Sequence, residues 1–118
     1  MAALISFTEP SVKKKFHNVL QGIAPLNLKL TPEDKNLYAE WCAENMSRYW
    51  SDKDSPIYKA DVIVFDDPQT AGLIPHIKKM NPKATLVYRS HIEIRSDLTA
   101  LSGSIYHEVW HYLWSFIR

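Results

Sequence analysis

Residues 61–93 read DVIVFDDPQTAGLIPHIKKMNPKATLVYRSHIE, two apolar runs with a short helical pattern between them. Val62-Ile63-Val64-Phe65 is continuous, β-branched and aromatic, the composition of a strand buried on both faces, as in parallel sheets. Asp66-Asp67-Pro68 ends it. Leu73, Ile74 and Ile77 then share one face of a short amphipathic helix, which tolerates Pro75 only in its first turn. Asn81-Pro82 is a turn, and Ala84-Thr85-Leu86-Val87-Tyr88 is a second strand. Strand, helix and strand in this order make a βαβ unit with a right-handed crossover. The fold class expected is therefore α/β.

Outward from this unit the pattern is helical. Upstream, Val12, Phe16, Val19, Leu20 and Ile23 recur at spacings of three and four, with Ser11 as a cap and Gly22 as a stop. Thr31-Pro32-Glu33-Asp34 opens a further helix. The threonine can accept from orphan N–H groups, proline lacks an N–H that has no use there, and the acids suit the positive end of the dipole. Leu37, Tyr38, Trp41, Cys42, Met46 and Tyr49 form its apolar stripe to about Trp50, and Ser51 to Pro56 is a polar loop. Downstream, Val109, Trp110, Leu113, Trp114 and Ile117 mark a helix within residues 103–118. Residues 1–10 carry no pattern.

Composition narrows the function classes. At 118 residues the chain is one domain at most, and 46% hydrophobic with 12% aromatic residues excludes disorder. A net charge of +1 gives no reason to expect nucleic acid or an anionic membrane as partner. Lys13-Lys14-Lys15 reads as a solvated helix turn. One cysteine, Cys42, forbids an intrachain disulfide and suits a reducing, cytoplasmic compartment. No apolar run approaches the length of a membrane span.

In open parallel sheets ligands bind beyond the carboxyl ends of the strands. Two polar clusters stand there: Asp66-Asp67-Pro68-Gln69 and Arg89-Ser90-His91-Ile92-Glu93. If the strands are neighbours, Asp67 and His91 face one cleft. An aspartate can accept from two sugar hydroxyls and a histidine can donate to one, which suits polyol recognition. The alternative is that Asp67 caps the helix at Thr70 and His91 is an ordinary loop residue. Periodicity does not decide between them.

Four blocks resemble, in order, segments of the trehalose phosphorylase and trehalose synthase family: Lys14–Gly22 with its His-Asn-x-Leu-Gln-Gly core; Val64–Gln69 with Leu73-Ile74-Pro75 and Lys78-Lys79; Tyr88–Leu98; and Val109-Trp110 with Tyr112–Ile117. Asp-Asp-Pro-Gln and Arg-Ser-His-Ile-Glu are similar to the fungal retaining phosphorylases, clock-controlled-protein homologues included. The wider synthase group usually has His at the position of Asp66 and Cys-His-Ile-Asp at Ser90 to Glu93. The resemblance implies a partial Rossmann-like parallel sheet with flanking helices. It would be a slice of the N-terminal domain of a glycosyltransferase-B architecture, spanning residues 1–118 without the C-terminal domain. It implies reversible phosphorolysis of α,α-trehalose to glucose and α-glucose 1-phosphate with retention, or a nucleotide-sugar-dependent synthase as the alternative. Asp67 and His91 match the family's catalytic aspartate and histidine, and Gln69, Arg89, Glu93 and Asn18 are expected around the sugar. Helix packing explains Asn18 and Gln21 equally well. No cofactor is implied. Phosphate or glucose 1-phosphate would bind only with the missing domain, whose absence would leave the chain inactive alone and prone to homo-oligomerise.

One motif competes. His107-Glu108-Val109-Trp110-His111 fits H-E-x-x-H, the zinc-protease pattern. Only seven residues follow His111, too few to supply the usual third ligand. No metal site is therefore expected, and the histidines read as chance neighbours on a helix face. A non-catalytic interaction module is the remaining class.

Overall fold

The structure, a computed structural model, describes residues 2–5, 10–25, 27–90 and 93–118. The central element is the strand β2, Val62–Asp66. On one side it pairs in parallel with β3, Thr85–Arg89, in the register Ile63 to Leu86, Phe65 to Tyr88 and Asp66 to Arg89. On the other it pairs in parallel with β1, Ala2–Ile5. The expected parallel pair is present, each strand shifted or extended by one residue. The strand at residues 2–5 corrects the reading of the N-terminus as unpatterned. Ala-Ala-Leu-Ile has no alternation and weak intrinsic strand preference, so the free edge of β2 supplies what the sequence lacks.

The two faces of the sheet differ, which corrects the expectation of strands buried on both. Ile63 and Phe65 are fully buried, with Leu86 and Tyr88 beside them by register. On the opposite face Val62 is 38% and Val87 42% exposed. Ile63 and Phe65 belong to one buried cluster with Phe16, Leu20, Ile57, Leu73, Ile77, Val109 and Leu113 from the helices and turns.

The helices follow the sequence signals closely. α1 runs Pro10–Leu20 and ends into Gly22, whose φ of 77° no L side chain adopts cheaply. α2, Pro32–Asn45, opens on a capping box: Thr31 Oγ1 accepts from the Asp34 N–H at 3.1 Å, and Asp34 Oδ2 accepts from the Thr31 N–H at 3.0 Å. Its Asp34 also pairs with Lys15 of α1. The chain widens into a π turn over Met46–Trp50, where the Asn45 side chain donates to the Trp41 carbonyl at 2.8 Å. Of the predicted stripe Tyr38, Cys42 and Met46 are buried, but Leu37 and Tyr49 are more than half exposed. The loop at 51–55 leads into α3, Pro56–Lys59, a short turn that the sequence did not signal.

After β2 comes a 3₁₀ turn, Pro68–Leu73, then α4, Ile74–Met80, with Pro75 in its first turn as required. A second unsignalled turn, α5, spans Ser96–Thr99. α6, Ile105–Ile117, is capped by Ser104 and buries Ile105, Tyr106, Val109 and Leu113, with Trp114 at the exposed flank. It packs on α1 and on the 3₁₀ turn.

Gly72 lies where α2 and this turn touch. A Cβ there would sit 2.7 Å from Cys42 Sγ and 2.8 Å from Tyr38 Cε1, inside van der Waals contact. Burial pushes the Cys42 thiol up to about 12, with the neighbouring Tyr38 hydroxyl opposing in part, so the sulfur packs as a neutral group. Gly72→Ala should cost about 1–3 kcal/mol, the usual penalty of overpacking. Urea denaturation checks this, and an unchanged midpoint would show that α2 yields.

Candidate functional site

The carboxyl edge of β2 and β3 gathers the polar residues that the sequence marked. Asp66, the last residue of β2, is buried, and its Oδ1 lies 3.9 Å from Nε of Arg89, its register partner. Arg89 is itself 61% exposed, so the buried carboxylate is matched to a cation that reaches solvent. Asp67 continues the ladder one step further, its N–H donating to the Arg89 carbonyl at 2.9 Å. The Asp67 carbonyl then accepts from the Thr70 hydroxyl at 2.8 Å and the Thr70 N–H at 3.2 Å. Gln69 is buried in the turn, and its side-chain nitrogen makes a long 3.5 Å contact with Asp67 Oδ2.

The backbone of Asp67 is the outlier of the chain. With φ 75° and ψ 152° it occupies a region almost reserved for glycine, and among the described residues it is the only non-glycine at positive φ. Such a conformation costs on the order of 1–3 kcal/mol. It makes no side-chain cap to the turn that follows. The reading of Asp67 as a helix cap is thereby removed, since it is the carbonyl of Asp67, not its carboxylate, that engages Thr70. The Tyr88 hydroxyl, on the neighbouring strand, is buried. Burial, then the neighbouring Asp67 charge and a smaller contribution from Asp66, hold that phenol well above its ordinary value.

His91 lies outside the described residues, so its distance from Asp67 is not part of this geometry. Glu93 is exposed just after it. Asn18 is half-buried on α1, its carbonyl accepting from the Ile23 N–H at 3.0 Å. The first and third sequence blocks do meet: the Arg95 N–H donates to the Leu20 carbonyl at 3.1 Å, and Gly22 abuts Leu98 and Arg95. A Cβ at Gly22 would come within 2.8 Å of Leu98 Cδ1. The segment carrying Glu93 is thus anchored to the end of α1.

The His107 and His111 rings lie 3.9 Å apart between centroids, tilted by 35°. The Nδ1 of His107 lies 2.9 Å from the Thr99 carbonyl, so that nitrogen carries the proton and donates. Glu108 and His111 are exposed. Among the described residues no three His, Cys, Asp or Glu side chains converge as a metal site. None of their helices is long and apolar enough to cross a membrane.

Residues 8–118 match the family described as trehalose synthase, N-terminal domain. The chain belongs to that family. Within the trehalose synthase N-terminal domain family, a trehalose phosphorylase of Pleurotus pulmonarius is 49% identical over 107 residues, covering 89% of this chain and 14% of that protein. The trehalose phosphorylase of Grifola frondosa is 45% identical over 107 residues. A trehalose synthase of Thermococcus litoralis is 34% identical over 108 residues, 92% of this chain and 22% of that protein. The family resemblance read from the four blocks is thus borne out, with the fungal phosphorylases nearer than the archaeal synthase. The chain spans only 14% of the length of these fungal relatives.

The sequence did not single out Tyr88, Thr70 or Tyr38, which surround the Asp67 turn. Tyr88 ends an apolar run, Tyr38 belongs to an apolar helix stripe and Thr70 follows a polar turn, and none of the three hydroxyls gives a signal of its own. If the backbone of Asp67 is strained to hold its carboxylate in place, then glycine should relieve the strain. Asp67→Gly should be more stable than Asp67→Ala by roughly 1 kcal/mol or more, because alanine keeps the Cβ that this φ disfavours. Parallel thermal or urea melts read the difference, and equal stabilities would mean that the turn relaxes.

Proposed function

We propose that the chain forms the sugar-binding edge of a retaining glycosyltransferase acting on trehalose. The observation that carries this is Asp67. It lies at the carboxyl end of the central parallel strand, where ligands of such sheets bind, in a backbone conformation that is strained for any residue but glycine. Asp67 and His91 are the catalytic pair of this reading. Gln69, Arg89, Glu93 and Asn18 are its flanking sugar contacts. The pair binds sugar hydroxyls and stabilises charge around an oxocarbenium-like transition state, without Asp67 acting as a covalent nucleophile. The reaction is phosphorolysis of α,α-trehalose to glucose and α-glucose 1-phosphate. The higher identity to trehalose phosphorylases than to trehalose synthase favours phosphate over a nucleotide sugar as the second substrate.

In a full-length enzyme carrying this segment, Asp67→Ala and His91→Ala should each lower turnover about 10²-fold or more, near 2.7 kcal/mol of transition-state stabilisation. The assay is glucose 1-phosphate release from trehalose and phosphate. Wild-type-like turnover in either variant sinks the assignment for that residue. The 118-residue chain alone should show no phosphorolysis, because the groups that hold phosphate belong to a second domain of the architecture.

The architecture itself is part of the proposal: an incomplete N-terminal Rossmann-like domain of glycosyltransferase-B type, working in the cytoplasm. The open sheet face at Val62 and Val87 and the exposed Trp114 support it, since a doubly wound sheet covers both faces. Light scattering of the isolated chain should therefore show homo-oligomers at micromolar concentration. A freely soluble monomer would argue for a self-sufficient domain.

A further inference from the structure

The turn beginning at Asp67 is held from a helix more than twenty residues upstream. Tyr38 of α2 is buried, at 3% exposure. Its hydroxyl donates to the Gln69 carbonyl at 2.6 Å and accepts from the Gly72 N–H at 2.9 Å. Both bonds go to the Pro68–Leu73 turn. The ring is fixed by edge contacts to Phe16 at 5.1 Å and Tyr112 at 6.0 Å between centroids, and Gly72 lacks the Cβ that would push it away. A phenylalanine would fill this space as well, so the hydroxyl is not needed for packing. What it adds is a bridge across the turn, which has few other ways to satisfy those two buried backbone groups.

We propose that Tyr38 is a positioning residue: its hydroxyl fixes the Pro68–Leu73 turn and thereby keeps Asp67 in its strained conformation at the sheet edge. Without the bridge the turn can relax, and Asp67 can leave positive φ by giving up its hydrogen bond to the Arg89 carbonyl. The geometric statement stands by itself; its consequence for sugar binding rests on the function proposed above.

The test uses the 118-residue chain with Tyr38→Phe, and Tyr112→Phe as the control. The control removes a phenol from the same aromatic cluster whose hydroxyl bonds the Lys35 carbonyl instead. Amide hydrogen exchange by NMR is the first readout. In Tyr38→Phe, protection of Gly72 should fall about tenfold, and that of Asp67, which does not touch Tyr38, by a similar factor. The other β2 amides should keep their protection, and the control should change neither. Loss at Gly72 with Asp67 unchanged overturns the proposal, as does a uniform loss across β2, the sign of a merely structural role. Should Tyr38→Phe fail to fold, native-state exchange of the wild-type chain in rising urea decides. Asp67 and Gly72 opening as one unit supports the coupling, and Asp67 opening well before Gly72 overturns it. Glucose titration followed at the Asp67 amide is the second readout, with affinity expected to fall about tenfold in Tyr38→Phe. A wild-type chain that binds no glucose counts against sugar binding by this edge and leaves the exchange result to judge the positioning. Equal glucose affinities with Asp67 protection lost would remove the functional consequence.

Discussion

The hydrogen bond from the Asp67 N–H to the Arg89 carbonyl constrains everything around it. It carries the parallel ladder one residue beyond Asp66, yet the chain must turn at once into Pro68, whose ring fixes its own φ and restricts the residue before it. Asp67 meets both demands with φ at 75°. The rest of the edge follows. The Asp67 carbonyl swings to Thr70, the 3₁₀ turn forms beneath it, and Gly72 is brought against Tyr38 and Cys42. α6 and α1 then pack on that turn rather than on a free strand end.

How much of this the sequence discloses depends on whether the deciding partner is near or far along the chain. Val62 to Phe65 is too apolar for anything but burial, so a strand there, and a parallel one given the helical spacer, is legible without a structure. The capping box at Thr31 and Asp34 is equally local, since both partners lie within one turn. β1 is illegible for the opposite reason. Only Ile5 of Ala2–Ile5 prefers a strand, and the edge of β2 that recruits it is sixty residues away. The open sheet face escapes notice because an apolar run says that side chains seek burial, not that this chain supplies the cover on both sides.

The candidate site divides along the same line. Asp67, Gln69 and Arg89 stand at strand ends, which a parallel sheet marks as an edge, and their placement together was readable. Two features of that edge were not. The positive φ at Asp67 goes with a hydrogen bond to the Arg89 carbonyl, a long-range contact. Tyr38 looks like one more member of an apolar stripe, because helical periodicity registers the ring and ignores the hydroxyl. Buried hydroxyls of this kind are where hydrophobic pattern reading loses information: the apolar body sets the position, and the polar tip chooses the partner.

The distribution of glycine gives the argument its direction. The chain has three glycines. Gly22 stands at positive φ against Leu98, and Gly72 stands where any Cβ would strike α2, so both are explained by the fold alone. Asp67 has a backbone that suits glycine at least as well as Gly22 does, and carries a carboxylate instead. Its carboxylate does not cap the turn that follows, it lies 3.5 Å from the Gln69 side-chain nitrogen, and its charge disfavours ionisation of Tyr88. A strained non-glycine backbone at the edge where parallel sheets bind ligands is what a residue selected for its side chain looks like. On this physical ground, apart from any likeness to relatives, Asp67 ranks ahead of Asp66. Asp66 sits in ordinary strand geometry, buried and matched to Arg89, and its carboxylate already has a structural partner.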